Sequence, residues 1–172
     1  MQALIRPLRQ DDEPFLWHML FYAAHLQDEG ETSFEVTKTH PELRPHVQQW
    51  GRETDLGVLA LHPHDQHPLG AAWIRALREE QQMSCLIAEG TPELVIAVLP
   101  DSRGQGIGTQ LLNHLLEAAS QVYLAVVLSV RKSNPARSLY ERIGFEIVDT
   151  VRNRVGSESF VMLMRFENQR NG

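Results

Sequence analysis

Three glycines in alternation, Gly104, Gly106 and Gly108, follow Arg103 and stand directly before a run of helix-forming residues. An apolar stretch, Leu94 to Leu99, leads into them through Pro100 and Asp101. A strand, a glycine-rich turn and a helix N-terminus make an anion site. The first N–H groups of a helix have no internal partner, and the helix dipole places about half a positive charge there. Glycine lets the backbone come close to a ligand and take up conformations closed to other residues. One glycine suffices for a tight turn; three, with an arginine ahead, point to a bound phosphate. A nucleoside-triphosphate loop needs a lysine and a serine or threonine after its glycines, and no lysine follows here. A dinucleotide fingerprint needs a glycine where Thr109 stands and a carboxylate about 20 positions on. The next apolar strand ends in Ser129-Val130-Arg131 without one.

The elements that must hold this loop follow from periodicity. Ile107, Leu111, Leu112, Leu115, Ala118, Ala119 and Val122 recur on one face of a helix. Tyr123 to Val130 is almost continuously apolar, as a strand covered on both faces is. Strand, helix, strand in this order implies a right-handed parallel crossover. Asn134 caps a further helix with Pro135 at its first position, and Gly144 stands where a C-cap is expected. Phe145 to Thr150 and Phe160 to Phe166 read as the last two strands. Before the loop, Ala3 to Leu8 reads as a strand and Asp11 to His25 as a helix started by acid and Pro14. Gln27 to Thr37 reads as a loop, and Pro41 to Trp50 as a short helix with Pro45 inside it. Leu56 to Leu61 and Leu69 to Arg75 pair as an antiparallel hairpin. The sum is an α/β fold, a mixed sheet of about seven strands with helices on its faces.

Two further groups could do chemistry. The hairpin turn holds His62, His64 and His67 beside Asp65, and reads as a polar loop with solvent-facing imidazoles, so no metal is expected. Cys85, the single cysteine, has no partner in the sequence and reads as incidental. It excludes an internal disulfide. The segment around it, Ala76 to Thr91, is polar and mixed and carries no clear period.

At 172 residues the chain is expected to form one domain, residues 1–172. Its 42% hydrophobic and 22% charged content suits a globular protein with a real core. A net charge of −6 argues against nucleic acid or an anionic membrane surface as partner. Charges interrupt the first 25 residues, and no apolar run reaches the ~20 residues of a membrane helix. A cytoplasmic location is the expectation.

Arg103-x-x-Gly106-x-Gly108 resembles the acetyl-CoA pyrophosphate loop of the GNAT N-acetyltransferase superfamily. Ile5-Arg6-Pro7 near the start, the strand Glu93 to Leu99, and the run Asn134 to Phe145 are similar to the family's other parts in the family's order. The resemblance implies a mostly antiparallel seven-stranded sheet whose central parallel strands splay apart to admit acetyl-CoA. The backbone of Val98 and Leu99 then pairs with the pantetheine arm. The N–H groups of Arg103, Gly104, Gln105, Gly106, Ile107, Gly108 and Thr109 hold the pyrophosphate, and Asn134 and Ala136 flank the arm. Tyr140 resembles the family's tyrosine that protonates the leaving sulfur. Glu93 stands where some members carry a glutamate that relays the amine proton through water.

The acceptor pocket implied by the resemblance draws on the first two helices, the loop between them and the third strand. That points to Tyr22, His25, Glu29, Glu31, Phe34, Trp73 and Arg75. The implied function is acetyl transfer from acetyl-CoA, as co-substrate, to a primary amine of a small molecule or protein. A homodimer is compatible with it. The alternative is a non-catalytic acyl-CoA-binding module that senses or regulates.

Overall fold

The computed structural model describes residues 1–84 and 86–167. The reading of Cys85 therefore lies outside the described residues. The strands are β1 (Leu4–Pro7), β2 (Leu56–Leu61), β3 (Pro68–Ala76), β4 (Pro92–Val98), β5 (Ala125–Arg131), β6 (Glu146–Arg152) and β7 (Glu158–Arg165). The α-helices are α1 (Glu13–Ala23), α2 (Ile107–Ser120) and α3 (Arg137–Ile143). The sheet has seven strands in the order β1-β2-β3-β4-β5-β7-β6. Four pairs, β1/β2, β2/β3, β5/β7 and β6/β7, are antiparallel. β4 and β5 are parallel and share one register pair, Glu93 opposite Val127. This is the mixed, mostly antiparallel sheet expected. Among the described residues no helix is long and apolar enough to cross a membrane.

The chain gathers into two compact units. The first comprises Met1–Arg75 and Val95–Ala118, the second Ala76–Leu94 and the chain from Ala119 onward. In the first, Leu16, Met19 and Leu20 of α1 pack with Leu59, Ala71 and Trp73 of the hairpin and with Val95 and Ala97 of β4. Each buried Leu, Met or Val among them contributes about 1.5–3 kcal/mol. All three tryptophans, Trp17, Trp50 and Trp73, are buried in this core. Gly70 lets β3 and β4 approach closely: a Cβ there meets the Ala97 carbonyl at 2.7 Å and Val98 Cα at 3.1 Å.

The helix expected over Pro41 to Trp50 is instead a set of turns around one 3-10 turn, Arg44–His46. Pro45 has no N–H to give a helix. The carbonyls are also claimed from outside. Arg75 Nη1 donates to Pro45 O at 3.0 Å and Gln48 O at 2.6 Å, and Trp73 Nε1 donates to His46 O at 3.0 Å. Arg75 completes its set with a two-pronged bond to Asp55, at side-chain exposures of 1% and 2%. Burial, and then the neighbouring Arg75 charge, push the His46 imidazole down to about 4, so it stays neutral. The stretch read as a loop holds two short 3-10 turns, Leu26–Glu29 and Phe34–Lys38, the second capped by Ser33 Oγ accepting from Glu35 N.

In the second unit, Val127, Val161 and Ile87 form a core joined by Met83, Val148, Val151 and Leu163. Phe145 is buried beside the ring of Tyr140. Val122, expected on the buried face of α2, lies past the helix end at Ser120 and is 68% exposed.

Candidate active site

The glycine loop has the geometry its residues predict. Gly104 and Gly106 sit at φ +75° and +81°, a region L side chains rarely adopt. Helix α2 begins at Ile107, which is buried and anchors the turn; Gln110 N donates to the Gly106 carbonyl as the first helical bond. Gln110 does more with its side chain: Oε1 accepts from Ala3 N at 3.0 Å and Nε2 donates to Gly106 O at 3.3 Å. Gly108 lies inside the first helical turn, where alanine is favoured by up to about 1 kcal/mol. A Cβ there meets nothing within 4 Å. The loop thus leaves room beside the amides of Ile107, Gly108 and Thr109, which lack intrahelical partners. Gln105 and Thr109 are exposed beside that space. This open cradle fits a phosphate-bearing co-substrate.

At the end of β4, the Leu99 N–H donates to Leu69 O at 2.8 Å. The amide of Leu99 is committed to β3, which corrects the expectation that both Val98 and Leu99 offer theirs to a ligand. Strand alternation turns the Val98 N–H to the opposite edge. The Val98 carbonyl, on that same edge, accepts from Arg103 Nε at 3.3 Å. The Arg103 guanidinium lies over the Tyr22 ring, 5.8 Å from its centroid. Tyr22 is itself part of a ring cluster: its hydroxyl is 3.3 Å from His18 Nε2, and His18 stacks on Phe34 at 4.9 Å.

In the second unit, α3 starts at Arg137, later than the Asn134 cap predicts. Asn134 Oδ1 accepts from Ala136 N at 2.9 Å, an Asx turn that precedes the helix instead of capping it. The Ala136 amide and the Asn134 side-chain carbonyl are therefore paired with each other. Tyr140, on α3, is 9% exposed, and its ring meets Phe145 edge-on at 6.0 Å. Burial pushes its hydroxyl up to about 12, so it keeps its proton through the neutral range. Glu93 keeps some exposed surface, yet its carboxyl is enclosed enough that burial pushes it up to about 8. It lines a small cavity with Leu77, Gln82, Met83, Ile87, Thr91 and Val127. The space holds about one water molecule. Sequence reasoning missed Gln82 and Thr91, because the segment before β4 has no period to reveal what it packs against.

The acceptor residues separate. Tyr22 is half-buried beside Arg103. His25 sits at φ +59° with Nδ1 3.4 Å from Asp28, and Glu29 is exposed on the turn that follows. Trp73 and Arg75 are corrected: both are buried against the 44–50 segment and present no surface to an acceptor. In the hairpin turn, Asp65 Oδ1 lies between the Nδ1 atoms of His62 and His67, and the ligand atoms of the three lie within 4.8 Å of one another. The hydrogen bonds from His67 hold the Asp65 carboxyl below its usual range. The three side chains satisfy one another directly, and His67 and Asp65 are exposed.

A family model described as the acetyltransferase (GNAT) family matches residues 8–145. The chain is 39% identical over 87 residues to an N-alpha-acetyltransferase of Sulfurisphaera tokodaii, covering 48% of this chain and 52% of that protein. It is 44% identical over 59 residues to a [ribosomal protein bS18]-alanine N-acetyltransferase of Haemophilus influenzae, covering 34% and 40%. The chain thus spans about half, or less, of the length of these curated relatives. Its fold is similar to that of PaiA N-acetyltransferase from Thermoplasma acidophilum, solved in complex with coenzyme A, with TM-score 0.62, 21% identity, and coverage of 96% of this chain and 100% of that one.

Proposed function

Because the chain belongs to the acetyltransferase (GNAT) family, we propose that it moves an acetyl group from acetyl-CoA to a primary amine. The observation that carries this reading is the cradle at the start of α2: Gly104 and Gly106 at positive φ, with nothing within 4 Å of where a Cβ would stand at either, lead into a helix N-terminus whose first amides have no intrahelical partner. The family's enzymes use acetyl-CoA, and a neighbour in fold binds coenzyme A. The family match crosses both compact units, which supports reading them as one domain.

In this reading the amides from Arg103 to Thr109 hold the pyrophosphate, and Arg103 adds positive charge. Asn134 and Ala136 flank the pantetheine arm. Glu93 removes a proton from the acceptor ammonium through a water, which leaves the amine neutral to attack the acetyl carbon. The Val98 N–H stabilises the oxyanion that forms. As the C–N bond completes and the C–S bond breaks, the Tyr140 hydroxyl gives its proton to the departing thiolate and recovers one from solvent. One of the curated relatives named above is an N-alpha-acetyltransferase and the other acts, by name, on an alanine of a ribosomal protein, so a peptide α-amine is the first acceptor to test. Tyr22, His25 and Glu29 are the residues we assign to the acceptor side. A cytoplasmic location and a homodimer belong to the same reading; neither nucleic acid nor membrane is part of it.

The test is calorimetric titration with acetyl-CoA, CoA, ATP and NAD⁺ side by side, followed by thiol-release assays with peptide amines, polyamines and amino acids. Binding of the CoA compounds alone, with turnover of an amine, is the expected result. Absence of CoA binding by folded protein overturns the reading. Binding without turnover of any amine leaves the non-catalytic acyl-CoA module in its place.

A further inference from the structure

Gln82 Nε2 is a buried donor with no hydrogen-bond partner among the described residues. Native proteins rarely bury such a group without use, because it has given up water for nothing. Gln82 lines the cavity at Glu93, whose other walls include Thr91 and the apolar side chains of Met83, Ile87 and Val127. The segment that carries it is fastened in place. Ser84 Oγ donates to Asp149 Oδ2 at 2.6 Å and accepts from Leu86 N at 3.1 Å. The cavity holds about one water, and a water needs two to four polar partners. Gln82, Thr91 and Glu93 are the polar groups of its lining, and Glu93 is the one ionisable group among them. Asp149, which reaches the same segment from β6, is engaged by Ser84.

Resting on the acetyl-transfer reading, we propose that Gln82 is a positioning residue that seats, together with Thr91, a single water against the Glu93 carboxylate, and that this water carries the acceptor's proton to Glu93. The water oxygen accepts one hydrogen bond from Gln82 Nε2–H and one from the acceptor ammonium. Its own hydrogens point to the Glu93 carboxylate and to Thr91 Oγ1. When the ammonium gives its proton to this oxygen, the water passes one of its protons to Glu93. The products are a neutral amine, a water and a carboxylic acid that later releases its proton to solvent. The apolar walls keep other water from competing with that one.

The experiment uses Gln82→Met, which keeps the length of the side chain and removes the amide, with Leu86→Ser on the same segment as a control. The pH profile of kcat and the affinity for acetyl-CoA are measured for each. Gln82→Met is expected to lower kcat at least about tenfold, to move the acid limb upward by about half a pH unit or more, and to keep acetyl-CoA affinity within about twofold. Leu86→Ser is expected to change none of these. A second readout needs no activity: the melting temperature as a function of pH reports Glu93 ionisation directly, and Gln82→Met is expected to move that transition to higher pH. Where the wild type neither binds acetyl-CoA nor turns over an amine, the acetyl-transfer reading fails, and the melting curves still decide the Gln82–Glu93 link. A folded Gln82→Met with an unchanged rate profile and unchanged melting transition overturns the proposal. Gln82→Ala takes its place, with the same readouts, if the methionine variant does not fold.

Discussion

The guanidinium of Arg103 lies over the ring of Tyr22 while its Nε bonds the carbonyl of Val98. The arginine that heads the glycine loop is therefore held at the end of β4 by a ring and a carbonyl. With Nε engaged by that carbonyl, a pyrophosphate is left to the four N–H donors of the two Nη groups, at an exposed site where charge counts for less than in a buried one. Arg103→Ala is expected to weaken acetyl-CoA by about three- to tenfold at low salt and by less at 0.5 M salt, where exposed charges are screened. Calorimetry at the two salt concentrations measures it.

Gly106 and Gly108 should respond in opposite ways. Gly106→Val puts a β-branched residue at positive φ, at a cost of about 1–3 kcal/mol, and narrows the cradle. Acetyl-CoA affinity should drop at least about tenfold in a protein that stays folded. Gly108→Ala removes a helix-weakening residue and adds one methyl to open space. It is expected to raise stability by up to about 1 kcal/mol with little loss of affinity. Thermal melts paired with titrations separate the two.

Tyr140→Phe keeps the ring packed against Phe145 and removes the one proton that the leaving sulfur is assigned. Turnover is expected to drop about 10- to 100-fold while acetyl-CoA affinity holds. Equal loss of both, or of neither, contradicts the role.

Glu93 predicts a pH dependence with a definite sign. Its carboxyl titrates near 8 in the folded chain and near 4.5 unfolded, so the folded state binds the extra proton between those values. Its contribution to stability is complete below the lower value and is lost as pH rises through about 8. Glu93→Gln should therefore melt closer to the wild type at pH 5 and progressively higher than it toward pH 9. The same substitution should abolish the acid limb near 8 in the rate profile. Melting curves and kcat/KM measured across that range check both.

Gly70→Ala tests whether β3 sets the position of the cofactor strand. The added methyl meets backbone atoms of Ala97 and Val98, which cannot yield as a flexible side chain does. Lower stability together with weaker acetyl-CoA binding is expected; loss of stability alone would separate the strand contact from the site.

The glycine loop and α2 were legible because both signals are local: alternating glycines, and apolar residues at helical spacing. Asn134 reads as a cap in the sequence because its side chain can bond the backbone in more than one kind of turn; in the structure the Asx turn comes before the helix. Trp73 and Arg75 enter the acceptor pocket through the family resemblance, which draws that pocket in part from the third strand. Alternation puts both on one face of β3, but which segment covers that face is a long-range matter, and the 44–50 turns cover it. That covering also removed the helix expected there. The relation of Gln82 to Glu93 was invisible for a similar reason: it joins an aperiodic turn to a strand.

The placement of Trp17, Trp50 and Trp73 makes the first unit optically distinct. Tryptophan emission reports its unfolding and says nothing of the second, while far-ultraviolet circular dichroism reports both. Denaturation followed by the two signals at once therefore measures cooperativity between the units without any label. Superimposed transitions would mean that they unfold as one body, so that a strain introduced at the glycine loop is felt at α3. Separated transitions would mean that either half can open while the other keeps its structure.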